Sequence, residues 1–229
     1  VLIQIGAAVE CIHAYTLIHD DLPCMDNDDL RRGKPSIHKK FGEPTAVLAG
    51  NSLLTLAFEI LTNKNLKISD SKKILIVKYI SNCSGHEGVA GGQYSDLNFE
   101  NKKISLSKIK DMQVKKTGRL FSFCCIAPLI VVNKNNLIKK FMKIGEDVGL
   151  LFQIADDLID YSGNSKIAGK KTKKDAVKGK ATLISLLGYE NTIKYSKRLK
   201  LNIFNELSKY QKRSNDLKQT IEFILNRTN

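Results

Sequence analysis

The stretch Val148-Gly149-Leu150-Leu151-Phe152-Gln153-Ile154-Ala155-Asp156-Asp157-Leu158-Ile159-Asp160 decides how the chain is read. Ile144, Val148, Leu151, Phe152 and Ala155 recur at helical spacing, so an apolar face runs directly into three carboxylates. Asp156 and Asp160 are four apart and share a helix face, which is the spacing of half a divalent-metal site. An exposed acidic helix end is the plainer alternative. Against it, Val148 to Ala155 carries no charge and reads as buried, and carboxylates at the end of a buried helix need partners. The same spacing recurs at Val47, Leu48, Asn51, Leu54, Thr55 and Phe58, and the chain holds only four prolines. Turn-forming clusters fall at 32–44, 63–70, 85–92, 133–136 and 162–180, with no repeat or low-complexity linker between them. The expectation is an all-α bundle in which residues 1–229 form one domain.

A second acidic cluster lies near the start: His19-Asp20-Asp21-Leu22-Pro23-Cys24-Met25-Asp26, followed by Asn27-Asp28-Asp29-Leu30-Arg31-Arg32-Gly33. Five aspartates in ten residues repel one another unless cations neutralise them. All-oxygen ligands favour Mg²⁺ or Ca²⁺ over zinc or copper, and the lack of an EF-hand pattern favours Mg²⁺. Residues six apart on an ideal helix lie about 120° out of line, so Asp20 and Asp26 converge only if the chain bends between them. Pro23 is placed to cause such a bend.

Of 229 residues, 42% are hydrophobic and 26% charged, the balance of an ordinary globular chain. Five cysteines form no C-x-x-C pair, which argues against a disulfide scaffold or zinc site and for a reducing compartment, the cytoplasm. The longest uncharged runs, Pro44 to Phe58 and Leu120 to Asn133, are shorter than a bilayer requires, so no transmembrane segment is expected. The opening from Val1 reads as the middle of a helix, hence as a piece missing its natural start. The net charge of +14 is uneven: residues 1–100 hold 10 Lys/Arg against 12 Asp/Glu, and the rest hold 27 against 11. Without aromatic interleaving or a recognition motif, this basicity does not predict nucleic-acid binding. The cations instead sit beside the carboxylates: Arg31-Arg32-Gly33, Lys115-Lys116-Thr117-Gly118, and Gly169-Lys170-Lys171 with Gly179-Lys180-Ala181-Thr182. Two acidic sets facing basic residues suit a diphosphate held through Mg²⁺. Glycoside acid/base work by paired carboxylates would leave these cations without a role.

In this order the D-D-x-x-x-x-D turn with R-R-G, Gly91-Gly92-Gln93-Tyr94-Ser95-Asp96, Lys116-Thr117-Gly118, Phe152 to Asp160 and the G-K…D…G-K-x-T segment resemble the trans-isoprenyl diphosphate synthases, and among them the bacterial farnesyl diphosphate synthases. The resemblance implies an isoprenoid-synthase-type helical bundle around a deep hydrophobic cavity, normally a homodimer. It implies Mg²⁺, three ions with substrate bound, on Asp20, Asp26, Asp156 and Asp160, with Asp21 and Asp157 in support. Arg31, Lys116, Lys170 and Lys180 would grip an allylic diphosphate, and His13 and Arg32 would bind isopentenyl diphosphate. Thr117 and Gln153 would stabilise the allylic cation. His13 lies seven residues before Asp20, two turns along the same side. Tyr15 would floor the pocket and, with small Thr16 beside it, stop the product at C15 rather than C20. The family's earlier basic GGK-type stretch does not occur in these 229 residues. An idle regulatory relative would break an aspartate motif, and a terpene cyclase usually lacks the second; both motifs are intact here.

Overall fold

The computed structural model describes residues 1–162 and 179–226. Helix α1 spans Leu2–Asp20, and a two-stranded hairpin, β1 (Leu30–Arg31) and β2 (Lys34–Pro35), follows it. Then come α2 (Ile37–Phe41), α3 (Glu43–Thr62), α4 (Asp70–Ser84), α5 (Val89–Phe99) and α6 (Leu106–Gln113). A π-helical turn, Val114–Gly118, joins α6 to α7 (Arg119–Val131), and a 3₁₀ turn at Asn135–Leu137 leads into α8 (Ile138–Ser162). After the segment not described come α9 (Leu183–Leu187), α10 (Tyr189–Ser208), a 3₁₀ turn at Gln211–Ser214 and α11 (Asn215–Leu225). The all-α expectation holds, apart from the small hairpin.

Local chemistry explains the boundaries. Arg32 and Gly33, at the tip of the hairpin, both have positive φ (52° and 75°), as a tight two-residue turn between antiparallel strands requires. Within the stretch 32–44, read from sequence as one turn region, α2 forms and α3 begins. Pro44 sits in the first turn of α3, where a missing N–H costs nothing. Thr182 and Ser185 close a reciprocal capping box on α9, each backbone N–H meeting the other's hydroxyl at 3.1 Å.

Helix α1 packs along α3, α4 along α7, and α7 along α8, while α5 and α6 flank the π turn. One core cluster joins Ile5, Ala8 and Ile12 of α1 to Ala57 and Leu61 of α3, Ile76 and Ile80 of α4, and Phe123 and Ile126 of α7. A second gathers Ile144, Val148, Leu151 and Ile154 of α8 with Leu183 and with Leu199 and Ile203 of α10. Fully buried side chains such as Phe123 and Leu151 each contribute about 2 kcal/mol by leaving water. Val148 and Leu151 are therefore buried as their spacing predicts, and α8 carries its acidic end out of this core.

Helices α1 and α3 are long and apolar enough to cross a membrane by length and hydropathy, which the uncharged-run argument missed. Each also carries ionisable groups: Glu10, His13, His19 and Asp20 on α1, and Glu43 and Glu59 on α3. They pack on each other, and Val47, Leu48 and Leu56 of α3 and Ile3 of α1 remain exposed.

Candidate active site

Helix α1 stops at Asp20, three residues before Pro23, and the chain then doubles back on itself. The backbone N–H of Asp26 donates to the Asp20 carbonyl at 2.8 Å, and that of Asp28 donates to the Asp21 carbonyl at 3.2 Å. This tight turn, with Pro23 inside it, returns Asp26 to Asp20 across six residues. Burial pushes the Asp20 carboxyl up to about 6; neighbouring Asp26 also raises it, while Lys116, Arg31 and Lys180 pull it down. Such a carboxylate is short of positive charge.

The hairpin brings Arg31 back over the turn. Its guanidinium donates to both carboxylate oxygens of Asp21, from Nε at 3.2 Å and from an Nη. Asp21 is buried, and this fork is what holds Arg31 in place. Burial lowers the His13 imidazole below its usual range; Glu10 opposes that shift, and Arg32 and Arg31 add to it. His13, Arg31 and Arg32 therefore share one electrostatic environment. Thr16 turns its hydroxyl onto the His13 carbonyl at 2.8 Å.

Between the acidic clusters lies the π turn. Lys115 pairs with Asp111 at 3.1 Å on the outer side. Lys116 faces inward and donates to Asp96 at 2.6 Å. The approach depends on Gly92, because a Cβ there would lie 2.1 Å from the Lys116 backbone nitrogen. The π turn is thus pressed directly against α5, and an inserted residue in the helical register is a common device for aiming site side chains. One residue on, Thr117 donates its hydroxyl proton to Gln153 Oε1 at 3.2 Å, and the Gln153 amide donates to Asp157 at 2.8 Å. Gln113 also donates to Asp157, at 3.1 Å, so buried Asp157 fixes Gln153. Asp156 is half-buried on α8, and Asp160 is buried.

Lys180 donates to Asp26 at 3.1 Å and to Asp96 at 3.4 Å. Burial alone would raise the Asp96 carboxyl, but Lys116 and Lys180 hold it below the ordinary carboxylate range. Asp96 therefore ties together two of the cations expected from sequence, and Lys180 joins them to the first acidic cluster. Lys170, the remaining expected cation, lies outside the described residues. Asp96 and its neighbour Gln93 were not singled out from sequence, although the Gly91 to Asp96 motif contained them. Gln93 is buried, and neither its amide nitrogen nor its amide oxygen has a hydrogen-bond partner among the described residues.

Among the described residues no three His, Cys, Asp or Glu side chains form a ready-made metal site. For Mg²⁺ this is compatible with the donor set, since that ion keeps several waters and takes one or two carboxylates plus substrate phosphate oxygens. Asp20, Asp26, Asp156 and Asp160 supply oxygen donors only, and the raised Asp20 carboxyl favours a cation nearby. The residues fit the ion by chemistry.

The chain is 42% identical to the farnesyl diphosphate synthase of Bacillus subtilis (strain 168) over 206 residues, 86% of this chain and 70% of that protein. It is 38% identical to the chloroplastic geranylgeranyl pyrophosphate synthase of Catharanthus roseus over 207 residues, 90% of this chain and 58% of that protein. A geranyltransferase from Helicobacter pylori, crystallised with magnesium and isoprenyl diphosphate, superposes with a TM-score of 0.86 at 35% identity, covering 97% of this chain and 73% of that one. The sequence of this chain matches the polyprenyl synthetase family across residues 1–224, taking in both acidic clusters and the lysines between them, and the chain belongs to that family.

Proposed function

We propose that the chain, as one domain, condenses an allylic diphosphate, dimethylallyl or geranyl, head to tail with isopentenyl diphosphate to give farnesyl diphosphate and diphosphate. The observation that carries this reading is the linked set Asp20, Asp26, Lys180, Asp96 and Lys116, in which half-buried Asp20 and Asp26, buried Asp96 and the two cations gather around one locus. The H. pylori structure supports Mg²⁺ as the ion, and we take the number to be three with substrate bound. Asp20, Asp26, Asp156 and Asp160 would hold Mg²⁺, which neutralises the developing charge of a departing diphosphate.

The chain's own residues divide the remaining work. Lys116 and Lys180, with Lys170 expected to join them, and Arg31 steadied by Asp21, bind and orient the allylic diphosphate so that its C1–O bond can break with the electron pair going to the diphosphate. His13 and Arg32 hold isopentenyl diphosphate, whose double bond attacks C1. The released diphosphate then takes a proton from C2 of the isopentenyl unit, and that bond's electrons quench the cation at its C3 as a new C2–C3 double bond, so no side chain here is needed as base. Thr117 gives its proton to Gln153, so lone pairs of the Thr117 hydroxyl stay free to face the allylic cation. Water must be kept from the allylic cation, which it would quench.

Tyr15 packs against the first core cluster, about 1.4 turns below Asp20. As pocket floor it favours C15, and the C20 alternative is kept by the matching geranylgeranyl pyrophosphate synthase. A homodimer suits the exposed side of α3, where Val47 and Leu48 lie open beside Glu43 and Pro44. We take the setting to be the cytoplasm, a reducing compartment that suits five free thiols. The test is incubation of the protein with dimethylallyl and isopentenyl diphosphates and Mg²⁺, with products separated by length. The expected product is C15, and Tyr15→Ala is expected to shift it to C20 or longer. No prenyl diphosphate from the folded protein overturns the function, and unchanged C15 from Tyr15→Ala overturns the floor.

A further inference from the structure

His19 immediately precedes the acidic turn, and its environment is more constrained than a helix-surface residue requires. Its ring meets the Tyr15 ring edge-on, with centroids 5.5 Å apart and planes at 87°. These residues are four apart on α1, so each ring sits one turn from the other on the same face. On its other side His19 reaches α3, where Nε2 lies 3.2 Å from the Val47 carbonyl oxygen. A carbonyl only accepts, so Nε2 carries the proton and donates it. The Nε2 end of the ring also occupies the notch left by Gly50: a Cβ at that buried position would lie 2.0 Å from Nε2 and 2.4 Å from Cδ2. The ring is therefore held by a donor bond, a backbone notch and an aromatic edge.

We propose that His19 is a positioning residue for product length: it braces the Tyr15 ring against the growing prenyl chain by transferring the load to α3 at Val47 and Gly50. This rests on the prenyl-transfer reading and on Tyr15 as the floor. A single aromatic side chain makes a hard floor only if it cannot swing to another rotamer when pressed, and close packing behind it prevents that. Thr16, whose hydroxyl is turned to the His13 carbonyl, is not the neighbour in ring contact with Tyr15; His19 is. Product specificity then depends on a contact between α1 and α3 as well as on the floor residue itself.

The full chain is compared as wild type, His19→Ala, Gly50→Ala, Tyr15→Ala and the Tyr15→Ala/His19→Ala double variant, with dimethylallyl diphosphate, excess isopentenyl diphosphate and Mg²⁺. The readout is the C20 to C15 ratio, which does not depend on overall rate. His19→Ala and Gly50→Ala should each raise the ratio on the order of tenfold, the scale on which modest changes in apolar pocket fit discriminate substrates. Gly50→Ala displaces the imidazole without deleting it and improves helix propensity, so it keeps the test readable if His19→Ala folds poorly. His19→Gln, whose amide can still reach the Val47 carbonyl, should fall between wild type and His19→Ala. Because His19 acts through Tyr15, the double variant should give the same ratio as Tyr15→Ala alone. Lengthening by Tyr15→Ala with no change in His19→Ala and Gly50→Ala, or an additive double variant, overturns the brace while leaving the function standing. Wild type making no prenyl diphosphate overturns the function beneath it.

Discussion

Asp20→Asn is expected to lower kcat/KM by about 10³-fold or more and, at the same time, to stabilise the metal-free protein. The two effects share one cause. Asp20 is pressed into a half-buried turn beside Asp26, and burial with that neighbour lifts its carboxyl from 3.8 to about 6. An acid whose folded pKa exceeds its unfolded one binds more protons when folded, so its contribution is fully present below pH 3.8 and lost as pH rises through about 6. Above that the ionised group opposes folding, by about 3 kcal/mol on the scale of 1.36 kcal/mol per unit. Asparagine removes the opposition. In EDTA, melting curves of variant and wild type should coincide near pH 3.5 and separate by several degrees at pH 7.5, the variant melting higher. Adding Mg²⁺ should raise the wild type toward the variant. Activity within about threefold of wild type would remove Asp20 from the proposed ion-holding set.

Such a trade is what a site built for a charged ligand should show, and it bears on what could be read from the sequence alone. The clustering of five aspartates announced a need for cations, and the R-R-G and K-K-T-G runs supplied candidates. Which cation meets which carboxylate was hidden, because partners such as Lys180 and Asp26 lie 154 residues apart. Asp21, adjacent to Asp20 in sequence, is engaged by Arg31, a division of labour visible only once the hairpin folds back. The π turn was likewise invisible. Its residues have ordinary helix character, and the extra residue per turn accompanies close packing of the Lys116 backbone on Gly92, 24 positions earlier. The α8 face was readable from periodicity because it depends on neighbours three and four apart. The seat of His19 on Gly50 was not, since it crosses from α1 to α3.

Lys116→Met is expected to lower kcat by about 10²- to 10³-fold, the cost of removing one preorganised cation from developing negative charge. Its stability effect has the opposite sign to that of Asp20→Asn. Asp96 is buried, with its carboxyl held below the ordinary range by Lys116 and Lys180, so its pairing stabilises the fold above about pH 4 and is lost as pH falls through its folded pKa. Taking away Lys116 leaves Lys180, at 3.4 Å, as the remaining cation of the pair, and the metal-free protein should lose about 1–3 kcal/mol at pH 7.5. Asp96→Asn separates positioning from chemistry. It frees the Lys116 ammonium from its 2.6 Å partner while keeping the charge near Asp20. A cation kept but less well aimed should cost about tenfold, mostly in KM for the allylic diphosphate, because ground-state and transition-state contacts to the phosphate weaken together. Steady-state kinetics of both variants with dimethylallyl diphosphate as the varied substrate check the order. If Asp96→Asn loses as much kcat as Lys116→Met, the lysine is acting as the counter-charge of Asp96 and the grip on diphosphate belongs to Arg31 and Lys180.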